Sequence, residues 1–96
     1  MLILVTYDLS TEDAPGRRRL RRVARACLEY GQRVQNSVFE CEVDPAQWAR
    51  LRDRLAREID PSSDSLRFYR LGADGRRRIE HLGAKPSFDF EEVLLF

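Results

Sequence analysis

Cysteine, histidine and lysine are nearly missing from this chain, whose 96 residues hold two Cys, one His and a single Lys. Two thiols, Cys27 and Cys41, are too few for a disulfide-stapled scaffold and lack the paired spacing of the common zinc sites. We read them as inert thiols in the core. No apolar run approaches the roughly 20 residues that cross a bilayer, which argues against an inserted helix. The segment Met1 to Val5 is apolar, but neither a positive leader nor a small-residue cleavage site accompanies it. With Tyr7 and Asp8 following, it reads as a strand in a cytoplasmic protein without membrane contact. No repeat, low-complexity tract or linker divides the chain, so one domain over 1–96 is expected. A domain this small buries one modest core and gains from a partner, which makes a dimer the first expectation.

Arginine is what the sequence has in excess. Formal charges cancel to +1, yet all but one of the 17 basic residues are Arg. Arg17, Arg18, Arg19, Arg21, Arg22 and Arg25 follow one another with no acid among them. At physiological salt each field reaches only about 8 Å, so such a block can act on phosphates whatever distant acids do to the sum. A solvated helix face usually mixes signs through Glu to Lys pairs. The acid-free block therefore reads as a nucleic-acid contact, joined by Arg33 and by Arg76, Arg77 and Arg78 on a loop or short strand. The competing reading is a plain solvated face.

Periodicity gives the elements. Leu2 to Leu9 is an aliphatic and β-branched run that ends on a polar residue, Asp8, the pattern of a central strand. Ser10 to Gly16 is a loop, and from about Arg17 to Tyr30 the residues Leu20, Val23, Ala24, Cys27 and Leu28 fall at helical spacing. Gly31 is placed to end that helix in a left-handed conformation. Arg33 to Gln35 and Val38 to Val43 then form a hairpin around Asn36 and Ser37; Phe39, Cys41 and Val43 alternate with Glu40 and Glu42. Asp44, Pro45 and Gln47 predict a capped start to a second helix with the stripe Trp48, Leu51, Leu55 and Ile59. After the break at Pro61 to Asp64, Ser65 to Leu71 reads as a fourth strand. The order β-α-β-β-α-β predicts an α+β, ferredoxin-like fold with both helices on one face of an antiparallel sheet. The core is complete by Leu71. The tail 72–96 carries Phe88, Phe90, Val93, Leu94, Leu95 and Phe96, too apolar to hang in water, and is expected to dock on a partner subunit.

With the elements placed, three stretches carry a family resemblance: Tyr7-Asp8-Leu9 at the end of the first strand, Tyr30-Gly31-Gln32-Arg33-Val34-Gln35-Asn36-Ser37-Val38-Phe39-Glu40, and Asp64-Ser65-Leu66-Arg67-Phe68-Tyr69. Over Met1 to about Leu71 the chain resembles the small, second CRISPR adaptation protein. The resemblance implies a symmetric homodimer in which the carboxyl-terminal strand of each subunit extends the other's sheet. It implies capture of foreign DNA and its insertion as spacers, together with a separate integrase. Some members are described as magnesium-dependent endonucleases on RNA or DNA and others as inactive scaffolds, so catalysis stays open. It also assigns Arg33, Ser37 and Phe39 to a dimer cleft near the paired Asp8, with Tyr7 beside it.

Asp8 is the sharpest candidate, because a carboxylate at a strand end is a suitable hard ligand for Mg2+. One carboxylate is a poor site, but two copies across a two-fold axis can share one metal. The alternative is a strand-end Asp that caps a turn. Tyr7 alternates to the opposite face and reads as a packing residue; Phe39, in phase with Cys41 and Val43, reads as core. His81, the one histidine, reads as an exposed loop residue rather than a general base. The leading expectation is a homodimer that positions duplex DNA beside the integrase, its arginines reading backbone shape rather than sequence. The alternative is a Mg2+-dependent phosphodiesterase acting on single-stranded RNA or DNA, with catalytic Asp8 from both subunits and with Arg17, Arg19 and Arg33 stabilising the charged transition state. A third reading, a small-ligand or regulatory domain, predicts no salt-dependent affinity for nucleic acid.

Overall fold

Alternation along the first strand decides how the layers sit. In the computed structural model, which describes residues 1–72 and 77–84 apart from the side chains of Arg77 and Arg78, the elements are β1 (Leu2–Asp8), α1 (Ala14–Tyr30), β2 (Gly31–Gln35), β3 (Val38–Glu42), α2 (Pro45–Glu58), β4 (Ser65–Leu71) and β5 (Arg77–Gly83). The strands form a five-stranded sheet in the order β2-β3-β1-β4-β5, and every neighbouring pair is antiparallel. Ile3, Val5 and Tyr7 of β1 point to one face. There they join Phe39, Cys41, Leu66 and Phe68 of the sheet and Val23, Ala26, Cys27, Trp48, Leu51 and Leu55 of the helices in the main core. Leu4 points the other way and clusters with Val38 and Tyr69. The sheet thus has a helix face and a helix-free face, as the ferredoxin-like order requires, and Leu4, Thr6, Val38, Ser65, Arg67 and Tyr69 on the helix-free face are buried too.

Local chemistry fixes the ends of the elements. Asp13 caps α1 by accepting from the Gly16 N–H at 2.8 Å, and Pro15 sits in the first turn. The helix therefore begins at Ala14, earlier than the Arg17 expected from the apolar stripe, because cap and proline set the start before the stripe does. The buried sector of α1 centres on Val23, Ala26 and Cys27, which turns Leu28 to the outside; it is 56% exposed. Gly31 does not take the expected left-handed form. Its backbone is extended and runs straight into β2. A Cβ there would collide with the Glu40 carbonyl oxygen on β3, so the glycine serves close strand approach. Asp44 and Gln47 make the expected reciprocal cap on α2, at 2.7 and 2.9 Å. Trp48 meets Phe68 edge to face with ring centroids 4.9 Å apart, locking α2 onto β4.

The extra carboxyl-terminal strand is present as β5, but in the sheet of its own chain rather than in the partner's as expected. It pairs with β4 of its own chain from Leu71 opposite Arg77 to Ser65 opposite Gly83. Arg77 and Arg78 are therefore strand residues. Gly83, at φ +113°, is the one glycine among the described residues in the left-handed region; a Cβ there would strike the Asp64 carbonyl oxygen. The Ala84 N–H donates to that same oxygen at 3.0 Å, which ties the end of β5 to the loop before β4. Arg76 and the apolar tail residues Phe88, Phe90 and Val93 to Phe96 lie outside the described residues.

Candidate active site at the end of the first strand

Asp8 is the last residue of β1. Its Cα pairs with that of Ser65 on β4, and Ser65 in turn pairs with Gly83 on β5. Alternation puts Asp8, Thr6, Ser65, Arg67 and His81 on the helix-free face. Asp8 is exposed, whereas Thr6, Ser65 and Arg67 are buried. Together these five residues, with Tyr7 and Leu66, line a small cavity of about 10 Å³, close to the space one water needs. The Arg67 guanidinium carbon stands 5.2 Å from the centroid of the Tyr69 ring, a cation–π contact that holds this cation on the helix-free face.

The loop after Asp8 is held by a residue far along the chain. Asp64 is fully buried, and both of its carboxylate oxygens accept from donors. Oδ1 takes the Ser10 N–H at 2.9 Å and an Arg19 Nη at 3.4 Å; Oδ2 takes Arg19 Nε at 2.7 Å and the Asp60 N–H at 2.8 Å. Burial alone would raise the Asp64 carboxyl, but Arg19 and the backbone donors of Asp60 and Ser10 outweigh it and hold the group below the usual carboxylate range. The first turn of α1 presses on the same loop, since a Cβ on Gly16 would collide with the Ser10 carbonyl. Arg17 adds a hydrogen bond to the Thr11 carbonyl at 3.3 Å. Asp8 and the arginine helix are thereby one rigid unit.

This arrangement sorts the predicted residues. Arg19 is committed to Asp64 and holds the fold. Arg22 lies 3.9 Å from Glu58, a long and half-exposed contact of little weight. Arg18, Arg21 and Arg25 are exposed on α1 and make no ion pair among the described residues. Arg33 stands over the Phe39 ring at 5.1 Å. Tyr7 is buried, stacks on Phe39 at 6.1 Å and donates to the Asn36 carbonyl at 3.4 Å. Burial pushes the Tyr7 phenol up while Arg33 pulls the other way. Within one chain, Tyr7, Phe39 and Arg33 are thus on the helix side of the sheet, and only Ser37, whose carbonyl accepts the Tyr7 N–H at 3.1 Å, adjoins the end of β1. The transition-state role expected for Arg17, Arg19 and Arg33 meets the same difficulty: none of them shares the helix-free face with Asp8, whereas Arg67 does.

His81 corrects the expectation of a loop residue. It lies in β5 opposite Arg67, and both ring nitrogens are buried with no hydrogen-bond partner among the described residues. Periodicity missed it because strand reading stopped at Leu71. Asp64, Ser65 and Arg67 were also passed over as site residues, although they stand in a stretch that carries the family resemblance. Cys27 and Cys41 behave as read: both are buried free thiols, and burial pushes Cys27 up to about 12 and Cys41 to about 11. Among the described residues no three His, Cys, Asp or Glu side chains converge as a metal cluster.

The family model described as CRISPR associated protein Cas2 matches residues 1–79. The chain belongs to the Cas2 family. It is 61% identical over 95 residues to the CRISPR-associated endoribonuclease Cas2 of Nitratidesulfovibrio vulgaris, covering 99% of this chain and 93% of the relative. It is 55% identical over 96 residues to the CRISPR-associated endonuclease Cas2 of Halalkalibacterium halodurans, with both chains covered in full. Among solved structures, Streptococcus pyogenes Cas2 at pH 6.5 superposes with a TM-score of 0.70 at 58% identity, covering 75% of this chain and 87% of that one. The Cas2 resemblance read from Tyr7-Asp8 and the Gly31 to Glu40 stretch thus extends over nearly the whole chain. No helix among the described residues is long and apolar enough to cross a membrane.

Proposed function

We propose that this Cas2 chain works as a homodimer in spacer acquisition, holding foreign duplex DNA beside the CRISPR integrase. The observation that carries the reading is the exposed arginine row of α1, Arg18, Arg21 and Arg25, which make no ion pair among the described residues and are braced through Ser10, Arg19 and Asp64 to the end of β1. Guanidinium groups on a rigid helix suit a phosphate backbone, and phosphate contacts position a duplex without reading its sequence. That property fits a task that must accept arbitrary DNA. Footprinting on several unrelated duplexes tests the proposal. Equal protection is expected, and strong preference for one sequence would count against it.

Metal-dependent phosphodiester cleavage is the second reading, favoured by the position of Asp8 and by relatives named as endoribonuclease or endonuclease. The donor set fits Mg2+, a hard cation that takes one or two carboxylates and keeps several waters. Asp8 supplies a carboxylate from each subunit of the dimer, and the Thr6 and Ser65 hydroxyls are oxygen donors in the same cleft. Bound there, the cation would polarise a phosphoryl oxygen and lower the pKa of a water. Arg67 sets a positive charge on the same face, where charge develops in phosphoryl transfer. Asp8→Asn keeps shape and removes the charge. Hydrolysis of labelled RNA or duplex DNA that needs Mg2+ and vanishes in this variant is expected; hydrolysis unchanged by it would remove Asp8 from the chemistry.

A further inference from the structure

We propose that His81 is a positioning residue of the Asp8 site, holding through one buried water the carboxylate that receives the divalent cation. The proposal rests on the reading of Asp8 as a cation ligand and names a further residue that serves it.

Register puts the two residues on one face. Thr6, Arg67 and His81 lie in one cross-strand row, and Asp8, Ser65 and Gly83 lie in the next. The small side chains in the second row leave a space that Asp8 and His81 both line, the cavity of about 10 Å³. Both His81 nitrogens are buried, and among the described residues no group bonds to them. Buried polar atoms are very rarely left without a partner, and where protein supplies none an ordered water does. One water fits this cavity by size, and the polar lining of Asp8, Thr6, Ser65 and Arg67 supplies the two to four partners such a water needs. In any protonation state an imidazole keeps at least one N–H to direct toward that water.

The spacing between the two strand ends is fixed rather than incidental. The Asp64 carboxylate takes the Ser10 N–H, two residues after Asp8. The Asp64 carbonyl takes the Ala84 N–H, and Gly83 adopts its left-handed backbone against that carbonyl. One residue therefore registers both the end of β1 and the end of β5. Groups in the outer shell of a metal ligand orient it, and their loss commonly weakens metal binding by about 10–100-fold.

Nuclear magnetic resonance tests this without any assay of activity, because the chain has a single histidine and hence a single imidazole signal. On titrating Mg2+ into 15N-labelled protein, a His81 ring nitrogen is expected to shift together with the Ser10 amide. In Asp8→Asn neither shift is expected. His81→Phe keeps a planar ring without nitrogens, and the Mg2+ affinity read from the Ser10 amide is expected to fall about tenfold. His81→Gln, whose amide reaches toward the Nε2 position, is expected to recover part of it. A His81 ring that stays unmoved while Ser10 responds, or His81→Phe binding Mg2+ as tightly as the parent, would overturn the proposal and leave the cation at Asp8 standing. If neither Ser10 nor the ring responds, the cation reading falls and takes the proposal with it.

Discussion

Removing the Asp64 carboxylate should unfold a large part of this protein's stability margin, and the reason can be followed atom by atom. Asp64 is fully buried and accepts two backbone N–H groups, from Ser10 and Asp60, besides the Arg19 guanidinium. Asp64→Ala leaves a cation and two amides without their acceptor. Breaking a buried ion pair from one side costs about 3–5 kcal/mol, against roughly 5–15 kcal/mol for a whole domain. At about 4–8 °C per kcal/mol for a domain of this size, the melting temperature should fall by more than ~12 °C. Asp64→Asn should be nearly as harmful, because every neighbour of either oxygen is a donor, and one amide nitrogen must then face another donor whichever way the side chain is flipped. The pH dependence follows from the same contacts. The folded carboxyl is held below its unfolded value of about 3.9, so its stabilisation is complete above that pH and is lost as pH falls through the folded value. Thermal melts of parent and Asp64→Asn should therefore differ most at neutral pH and converge below about pH 4. A variant melting within about 2 °C of the parent at pH 7 would refute the reasoning, as that is less than 1 kcal/mol on the same scale.

Gly83→Ala must place a Cβ against the Asp64 carbonyl at a backbone angle that side chains avoid. A loss of about 1–3 kcal/mol is expected, with faster amide exchange along β5, and an unchanged melt would show that this strand end is not held as described. Cys27 and Cys41, pushed up to about 12 and about 11, should resist iodoacetamide at pH 8 in the native state and react on denaturation. Rapid native labelling of either thiol would contradict their burial.

Much of the fold was legible because its signals are local. The alternation of Phe39, Cys41 and Val43, the cap formed by Asp44 and Gln47, and the aliphatic run of β1 each declare an element within a few residues. The site was legible only where one residue speaks alone. Asp8 stands at a strand end and can be named from its neighbours in sequence. Asp64 reads as one more polar residue in a break; its role arises from Ser10 and Arg19, which only the fold brings to it. The same distance explains His81, whose strand is defined by pairing with β4 rather than by a pattern of its own, and Arg19, which reads as a phosphate or transition-state contact until the buried Asp64 carboxylate claims it. Gly31 was recognised as necessary for the wrong reason, since the constraint comes from Glu40 across the hairpin rather than from the helix end.

The central claim is that the exposed arginines of α1 hold duplex DNA through its phosphates, and duplex affinity measured across salt concentration tests it most directly. Each phosphate neutralised adds about 0.9 to the slope of log affinity against log salt. Replacing Arg18, Arg21 and Arg25 together with Gln should lower that slope by roughly 2–3 and weaken two unrelated duplexes alike. An unchanged slope with full affinity would place the DNA elsewhere on the molecule.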